Sequence, residues 1–398
     1  MDLRIEFAMK AISCVNFGQL CREYGISRKT GYKWRERFVA HGLSGMEEAS
    51  RRPHRHPEEL SEAVVCEIIR LKEAHRHWGP KKIRWLYERQ HSGVVPSESS
   101  FKRVLKRAGL VQPRQRRRAK EGGRLGMGRQ AQAPNEVWTV DFKGWWHDSR
   151  GQRVEPLTVR DEYSRMILDM RSMASARTEA VRACFERLFE RNGLPGAIRS
   201  DNGPPFACTR GLLGLTRLSA WWVALGIDLE RGRPGSPQDN GAHERMHLDV
   251  SRELEAGRIG RDQAAFDVWR HQFNTERPHE ALGMIPPCQI YRPSDRPYQG
   301  TPEELDYGGM ETRKVHPQNG TIYYRNHVIA LTTALGRWNV GLSPQAEGLV
   351  DVYFGNLRLG WIDPSTAGFL TAWPNRESVD GRPGADSATL HRPQGGDA

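Results

Sequence analysis

Three acidic residues stand where short extended segments give way to a turn or a helix, and their placement restricts the fold more than composition does. Asp141 closes the run Glu136-Val137-Trp138-Thr139-Val140, in which Trp138 and Val140 alternate as strand residues do. Asp201 closes Ala197-Ile198-Arg199-Ser200 ahead of an Asn-Gly turn, whereas Glu244 lies in SPQDNGAHERMH, on a helix. Strand ends and a neighbouring helix in an α/β core can converge on one point, and carboxylates there are hard ligands suited to Mg²⁺ or Mn²⁺. Taken singly, each acid has an ordinary reading at a strand end, in a turn or on a helix surface. The joint pattern points to metal-assisted phosphoryl transfer.

The formal net charge of +12 is concentrated at the N-terminus. Residues 1–130 hold 29 Lys and Arg against 14 Asp and Glu, a balance of +15, which leaves the other 268 residues at −3. A basic front beside an acidic middle implies that one part holds a polyanion and another processes it. Over residues 1–50, FGQLCREYGISRKTGYKWRERFVAHG reads as two short helices across a turn at Gly25, with Ser27 capping the second. Arg28, Lys29, Lys33, Arg35 and Arg37 surround an inward seam of Tyr32, Trp34 and Phe38, the pattern of a helix-turn-helix whose second helix enters a DNA major groove. After the basic link RRPHRHP, residues 59–110 predict a second helix-turn-helix-like unit. Ser97 or Ser99 caps its last helix, and Lys102, Arg103, Lys106 and Arg107 lie on the outer face. Residues 111–133 form a basic, Gly-rich linker in which Arg114, Arg116, Arg117 and Arg118 can follow phosphates.

Within 134–292 the pattern predicts strands over Val154–Val159 and Met166–Arg171, a helix over Thr178–Arg191 ended by Gly193, and a short strand at 226–229. Alternation over 311–372, in GTIYYRNHVIAL and EGLVDVYFGNLRLGWID, predicts a small antiparallel β-barrel. Residues 375–398 have the composition of a disordered tail. The six cysteines (Cys14, Cys21, Cys66, Cys184, Cys208, Cys288) contain no Cys-x-x-Cys pair and read as reduced thiols of a cytosolic protein. His54, His56, Cys66, His75 and His77 lack the spacing of a zinc module. Neither a signal peptide nor a membrane-spanning run is expected.

Around the three acids stand RDEYSR (160–165), SDNG (200–203), NGAHER (240–245) and FNTERPHEALGMIPPCQIY (273–291). In this order they make the stretch from about Asn135 to Arg292 resemble the integrase catalytic core of bacterial insertion-sequence transposases, a group related to retroviral integrases and known for an Asp, Asp, Glu triad. The resemblance implies a multidomain α/β protein: an RNase H-like mixed-sheet core with N-terminal helix-turn-helix domains and a C-terminal small β-barrel. It implies Asp141, Asp201 and Glu244 as catalytic residues and as ligands of two Mg²⁺ (or Mn²⁺) ions, with Arg245 on phosphate. The partners would be double-stranded DNA, both element ends and target, and further copies of the chain in a homo-oligomer, in the bacterial cytoplasm. The implied activity is that of a DNA transposase. A catalytically inactive integrase-fold regulator or assembly factor is the alternative, and an RNase H-type nuclease fits the fold but not the two helix-turn-helix units. One departure stands out: 42 residues separate Asp201 from Glu244, more than in retroviral integrases. The excess reads as an insertion around 209–226, with Asp228 or Asp239 as alternative third ligands, although only Glu244 has the Asn-Gly-x-x-Glu-Arg context. Asn202, Asn240, His247 and Arg277-Pro278-His279 are supporting candidates, and Asp161 matches a family position outside the triad.

Overall fold

The computed structural model describes residues 3–47, 59–111, 129–148, 150–209, 211–232, 241–255, 262–345, 348–366 and 368–371. Arg114, Arg116, Arg117, Arg118, Asp239, Asn240, the RRPHRHP link and the tail lie outside them. The chain divides into two units, Met1–Val65 and Cys66–Ala398.

The first unit holds α1 (Leu3–Ser13), α2 (Phe17–Glu23) and α3 (Arg28–His41). The sequence reading included only the last two. In α1, Phe7, Ala8 and Ala11 are buried at one-face spacing, and the Phe7 ring meets Phe17, Tyr24 and Trp34 edge-on. Ser27 caps α3 by accepting from the Thr30 amide at 3.2 Å. The inward seam needs correction. Tyr32 is 43% exposed and stacks on Phe17, with the Arg35 guanidinium over both rings. Trp34 falls on the buried stripe with Gly31, and Tyr32, one residue past Gly31, is turned about 100° away from it.

The second helical group is α4 (Glu62–Ala74), α5 (Pro80–Gln90) and α6 (Glu98–Arg107). Ile68, Leu71, Ile83, Tyr87, Phe101 and Leu105 are buried among them. Pro80 starts α5, and Ser97 caps α6 by accepting from the Ser100 amide.

The core is a five-stranded mixed sheet in the order β5-β4-β1-β6-β7. It comprises β1 (Val137–Phe142), β4 (Leu157–Asp161), β5 (Ile167–Arg171), β6 (Ala197–Ser200) and β7 (Asp228–Arg231). The first three run antiparallel, whereas β1–β6 and β6–β7 are parallel. A small hairpin, β2 (Trp146–His147) with β3 (Arg153–Val154), leaves the end of β1. The period of two sorts the central strands. Trp138, Val140, Leu157 and Val159 pack under α7 (Thr178–Asn192) and α8 (Arg217–Ala224). The alternate positions, Thr139 and Thr158, face α9 (Gly241–Val250). On that side α9 and α10 (Gln263–Thr275) build a separate cluster with Met246, Val250, Phe266, Trp269 and Phe273.

The segment read as an insertion contains α8, which is capped by Thr216 and Ser219 in a capping box. Its Leu218, Trp221 and Trp222 enter the core cluster, while Ala220, Val223 and Ala224 join a second cluster with the C-terminal module. That module comprises β8 (Glu311–Lys314), β9 (Thr321–Tyr324), β10 (His327–Ala330), β11 (Asn339–Pro344), β12 (Val350–Phe354), β13 (Leu357–Asp363) and β14 (Gly368–Thr371). Among the described residues it is not a closed barrel. An antiparallel sheet ordered β14-β13-β12-β11-β8 stays open at both ends beside the β9–β10 hairpin. Where β8 meets β9, the Arg313 Nε donates to the Tyr323 carbonyl at 3.1 Å, so a side chain makes the link in place of a backbone ladder. All six cysteines are free thiols, and no described helix is long and apolar enough to cross a membrane.

Trp222 is 1% exposed between α7 and the sheet. Trp222→Ala is expected to cost about 3–5 kcal/mol in urea unfolding followed by circular dichroism. A loss under about 1 kcal/mol would mean that α8 is not built into the core.

Candidate active site

Asp141 is the penultimate residue of β1, paired in register with Thr158 of β4. Asp201 directly follows β6, which lies parallel to β1, so both acids leave the sheet at the same edge. Its turn is held by the Asn202 amide, which donates to the Gly232 carbonyl at 2.6 Å. A Cβ on Gly203 would come within 3.0 Å of the Asp201 Oδ2, so a side chain there would crowd the carboxylate. Glu244 is exposed in the first turn of α9.

Asp141 feels the other two carboxylates. Burial, then the negative charges of Asp201 and Glu244, push the Asp141 carboxyl up to about 7. Asp228 is elsewhere: it begins β7 opposite Ala197, at the far end of β6 from Asp201, and it pairs with Arg129 at 2.7 Å. Among the described residues no three His, Cys, Asp or Glu side chains approach closely enough to hold one ion together.

What fixes Glu244 is the buried flank of its helix. His243 is fully buried; its Nδ1 lies 2.8 Å from the Thr139 hydroxyl and its Nε2 2.6 Å from the Thr158 hydroxyl. His247, one turn on, also reaches the Thr158 hydroxyl, at 2.8 Å, while its Nδ1 lies 3.8 Å from Asp141 Oδ2. Burial holds His243 well below the ordinary imidazole range and His247 down to about 3, so both rings are neutral. One proton assignment satisfies the shorter contacts, leaving only the 3.4 Å approach of the Thr139 hydroxyl to the Arg160 carbonyl without its proton. Thr158 donates to the Asp141 carbonyl at 3.0 Å and accepts from both Nε2–H groups, while Thr139 donates to His243 Nδ1. His247 is therefore part of the site's frame and not the ordinary surface histidine that its spacing alone allowed.

Farther along α9, buried Arg277 donates to Asp249 and to Glu253, both at 2.8 Å, and Trp269 donates to Glu253. The Arg277-Pro278-His279 string thus has a packing role, with His279 buried and its pKa lowered to about 3. Asp161 is buried and accepts from the Asn135 amide, the Ser164 amide and the Ser164 hydroxyl, which makes it the organiser of the RDEYSR turn. Sequence reasoning missed Thr139, Thr158 and His243. Polar residues inside two otherwise apolar central strands, and a histidine four residues before His247, were the available signals.

The cationic candidates sit apart from the carboxylates. Lys102, Arg103, Lys106 and Arg107 are all exposed on α6, and Arg28, Lys29 and Lys33 are exposed on α3, where Arg35 and Arg37 are half-buried. Arg245 is exposed beside Glu244, with Asp249 3.9 Å away.

Comparison with known proteins accords with this geometry. Integrase core domain models match residues 131–237 and 225–287, a helix-turn-helix domain matches 3–54, and a homeodomain-like domain matches 30–105. The uncharacterized 31.7 kDa protein of insertion element IS407 from Burkholderia multivorans is 27% identical over 242 residues, spanning 59% of this chain and 82% of that protein. Its counterpart of 39.2 kDa from insertion element IS476 of Xanthomonas euvesicatoria is 25% identical over 238 residues, spanning 59% of this chain and 66% of that one. Among solved structures, the HTLV-2 integrase catalytic core domain in complex with magnesium is similar over 41% of this chain and 100% of its own, at 15% identity and a TM-score of 0.33. The core matches and the insertion-element relatives make this chain an insertion-sequence transposase of the integrase-core group, with helix-turn-helix DNA-binding domains at its N-terminus.

Because the folded Asp141 carboxyl titrates near 7 against an ordinary 3.8, its charged form is disfavoured in the folded chain. The penalty is absent below the unfolded value, grows as pH rises, and is complete above the folded one. In EDTA, Asp141→Asn is therefore expected to stabilise the protein by up to about 4 kcal/mol at about pH 8 and to change little at about pH 4. Urea unfolding at the two pH values checks this; equal effects at both would refute the raised carboxyl.

Proposed function

We propose that this chain binds the terminal inverted repeats of its element, hydrolyses the DNA to free 3′-hydroxyls, and joins them to target DNA by transesterification. The observation that carries the reading is the placement of Asp141 and Asp201 at the same end of the parallel strands β1 and β6, with the charges of Asp201 and Glu244 both acting on Asp141. Burial and added negative charge that hold one carboxyl up near neutral pH suit a site that receives cations.

The donor set suits Mg²⁺ or Mn²⁺, since all three side chains offer hard oxygens. Asp141, Asp201 and Glu244 would be the protein ligands of such ions, with DNA and water oxygens completing their shells. Such ions would supply activation of the attacking oxygen and neutralisation of charge on the leaving one. The chain's own contribution is position. β1 and β6 hold Asp141 and Asp201 rigidly, the histidine-threonine frame holds α9, and Arg245 on the solvent side is available to a phosphate.

We assign DNA contact to Arg28, Lys29, Lys33, Arg35 and Arg37 in a domain at 1–50, and to Lys102, Arg103, Lys106 and Arg107 in a second at 59–110. Arg114, Arg116, Arg117 and Arg118 of the linker would follow the backbone toward a core at 134–292. The C-terminal β module would bind DNA or another subunit. Joining two ends calls for more than one copy on DNA.

Asp141→Asn and Glu244→Gln are each expected to lower Mg²⁺-dependent cleavage and strand transfer on element ends by about a hundredfold or more, while gel-shift affinity stays near the parent's. Activity equal to the parent's would remove the carboxylate mechanism. Replacing Arg103 by Ala should weaken binding and reduce the slope of log affinity against log salt by about 1; an unchanged slope would take α6 off the DNA.

A further inference from the structure

Trp145 is the one tryptophan among the described residues that is exposed, at 58%, and it lies four positions beyond Asp141. Large aromatic surface left in water at a candidate nucleic-acid site calls for an occupant. Its neighbour behaves oppositely. Trp146 is 6% exposed and packs against Phe266 at 5.4 Å, in the cluster that also contains Met246 and Val250 of α9. The positive φ of Gly144, 88°, turns the chain so that the first indole points out and the second in.

The hairpin that carries Trp145 is well tied. Asp148 Oδ1 accepts from the Arg150 and Gln152 amides, and the Asp148 amide donates to the Gln152 carbonyl. Arg153, opposite His147 in the ladder, lies over the Trp145 ring at 5.2 Å and is itself oriented by Glu155 at 2.9 Å. The His147 ring meets the same indole edge-on at 5.5 Å. Lys143 lies close enough to lower the Asp141 carboxyl by its charge. The result is an exposed aromatic surface with the Arg153 guanidinium over it, next to Lys143, whose ammonium lies 5.8 Å from the neighbouring Trp146 ring. Arg and Trp in this arrangement suit a nucleobase flanked by phosphates.

We propose that Trp145 is a stacking post for an unstacked nucleobase of the DNA being processed, with Lys143, Arg150 and Arg153 facing the flanking phosphates. The proposal rests on the reading of this site as one that acts on DNA. Four residues of chain span at most about 14 Å, so the base lies within about four steps of the phosphate at the carboxylates. A fully paired duplex would have to open there, whereas a frayed end would bind without that cost.

The test uses the full-length protein in EDTA and duplex DNA with a frayed end that carries 2-aminopurine at successive positions. Stacking on Trp145 should quench the probe, most strongly within about four nucleotides of the end. Trp145→Ala should abolish the quenching and weaken binding of frayed duplex about tenfold, leave fully paired duplex unchanged, and preserve the thermal midpoint. Trp145→Phe should keep most of the quenching. A Trp145→Ala protein that still quenches, or that loses affinity for frayed and paired duplex alike, overturns the proposal. Because no metal is present, the Asp141→Asn protein should quench as the parent does. The stacking post and the carboxylate mechanism can therefore fail separately.

Discussion

A helix that carries a carboxylate can face two others only if its far side is held more strongly than the charges push it away. In this chain that hold is the burial of α9 on β1 and β4. His243 bridges Thr139 and Thr158, His247 shares Thr158, and Met246 and Val250 join the aromatic cluster with Phe266, Trp269 and Phe273. Each hydrogen bond contributes about 1 kcal/mol net, but leaving a buried partner unpaired costs more, so the frame resists partial opening. Neutrality of the imidazoles matters. A protonated His243 would donate from both ring nitrogens, leave the Thr139 proton only the Arg160 carbonyl at 3.4 Å, and bury a charge with no carboxylate bonded to it.

The same economy of contacts joins the core to the C-terminal module. Because α8 sends Trp221 and Trp222 one way and Ala220, Val223 and Ala224 the other, one eight-residue helix belongs to two hydrophobic clusters. From Leu218 to Ala224 every residue of it is buried, and only Arg217 at its start is exposed. On the α5 side, Lys81 pairs with Glu280, and Lys82, pushed down to about 8 by burial and by the charge of Arg277, lies near Asp249 and Glu253. Lys82 of α5 therefore feels the same acidic residues that secure α9.

Much of the core was legible because its signals are local. Alternation in Glu136–Val140 marks β1, Gly193 marks the end of α7 with φ 72°, and Ser27 and Ser97 mark helix starts that the structure caps as expected. Three features were not. The helix α1 carries only a single cap-type residue, Asp2, before it and shows itself mainly through Phe7 packing on Tyr24 and Trp34. The 209–226 stretch reads as an inserted loop and helix, and nothing local shows that the two faces of that helix have different partners. The closed barrel fails because strand alternation specifies faces but not which edges pair, and here β8 and β14 remain the edges.

The sequence by itself determined the order of strands and helices, the basic front, and the positions of Asp141 and Asp201 at strand ends, since backbone periodicity and turn chemistry act between near neighbours. Tertiary structure alone decided which face of β1 meets α9, that Asp228 lies at the wrong end of its strand to join Asp201, and that His243 and His247 form a frame. The physical reason is range. Hydrogen bonds such as that between His243 and Thr139 join residues 104 positions apart, and the raised Asp141 carboxyl depends on burial and on charges from two other elements, so neither exists until the sheet and its helices have assembled.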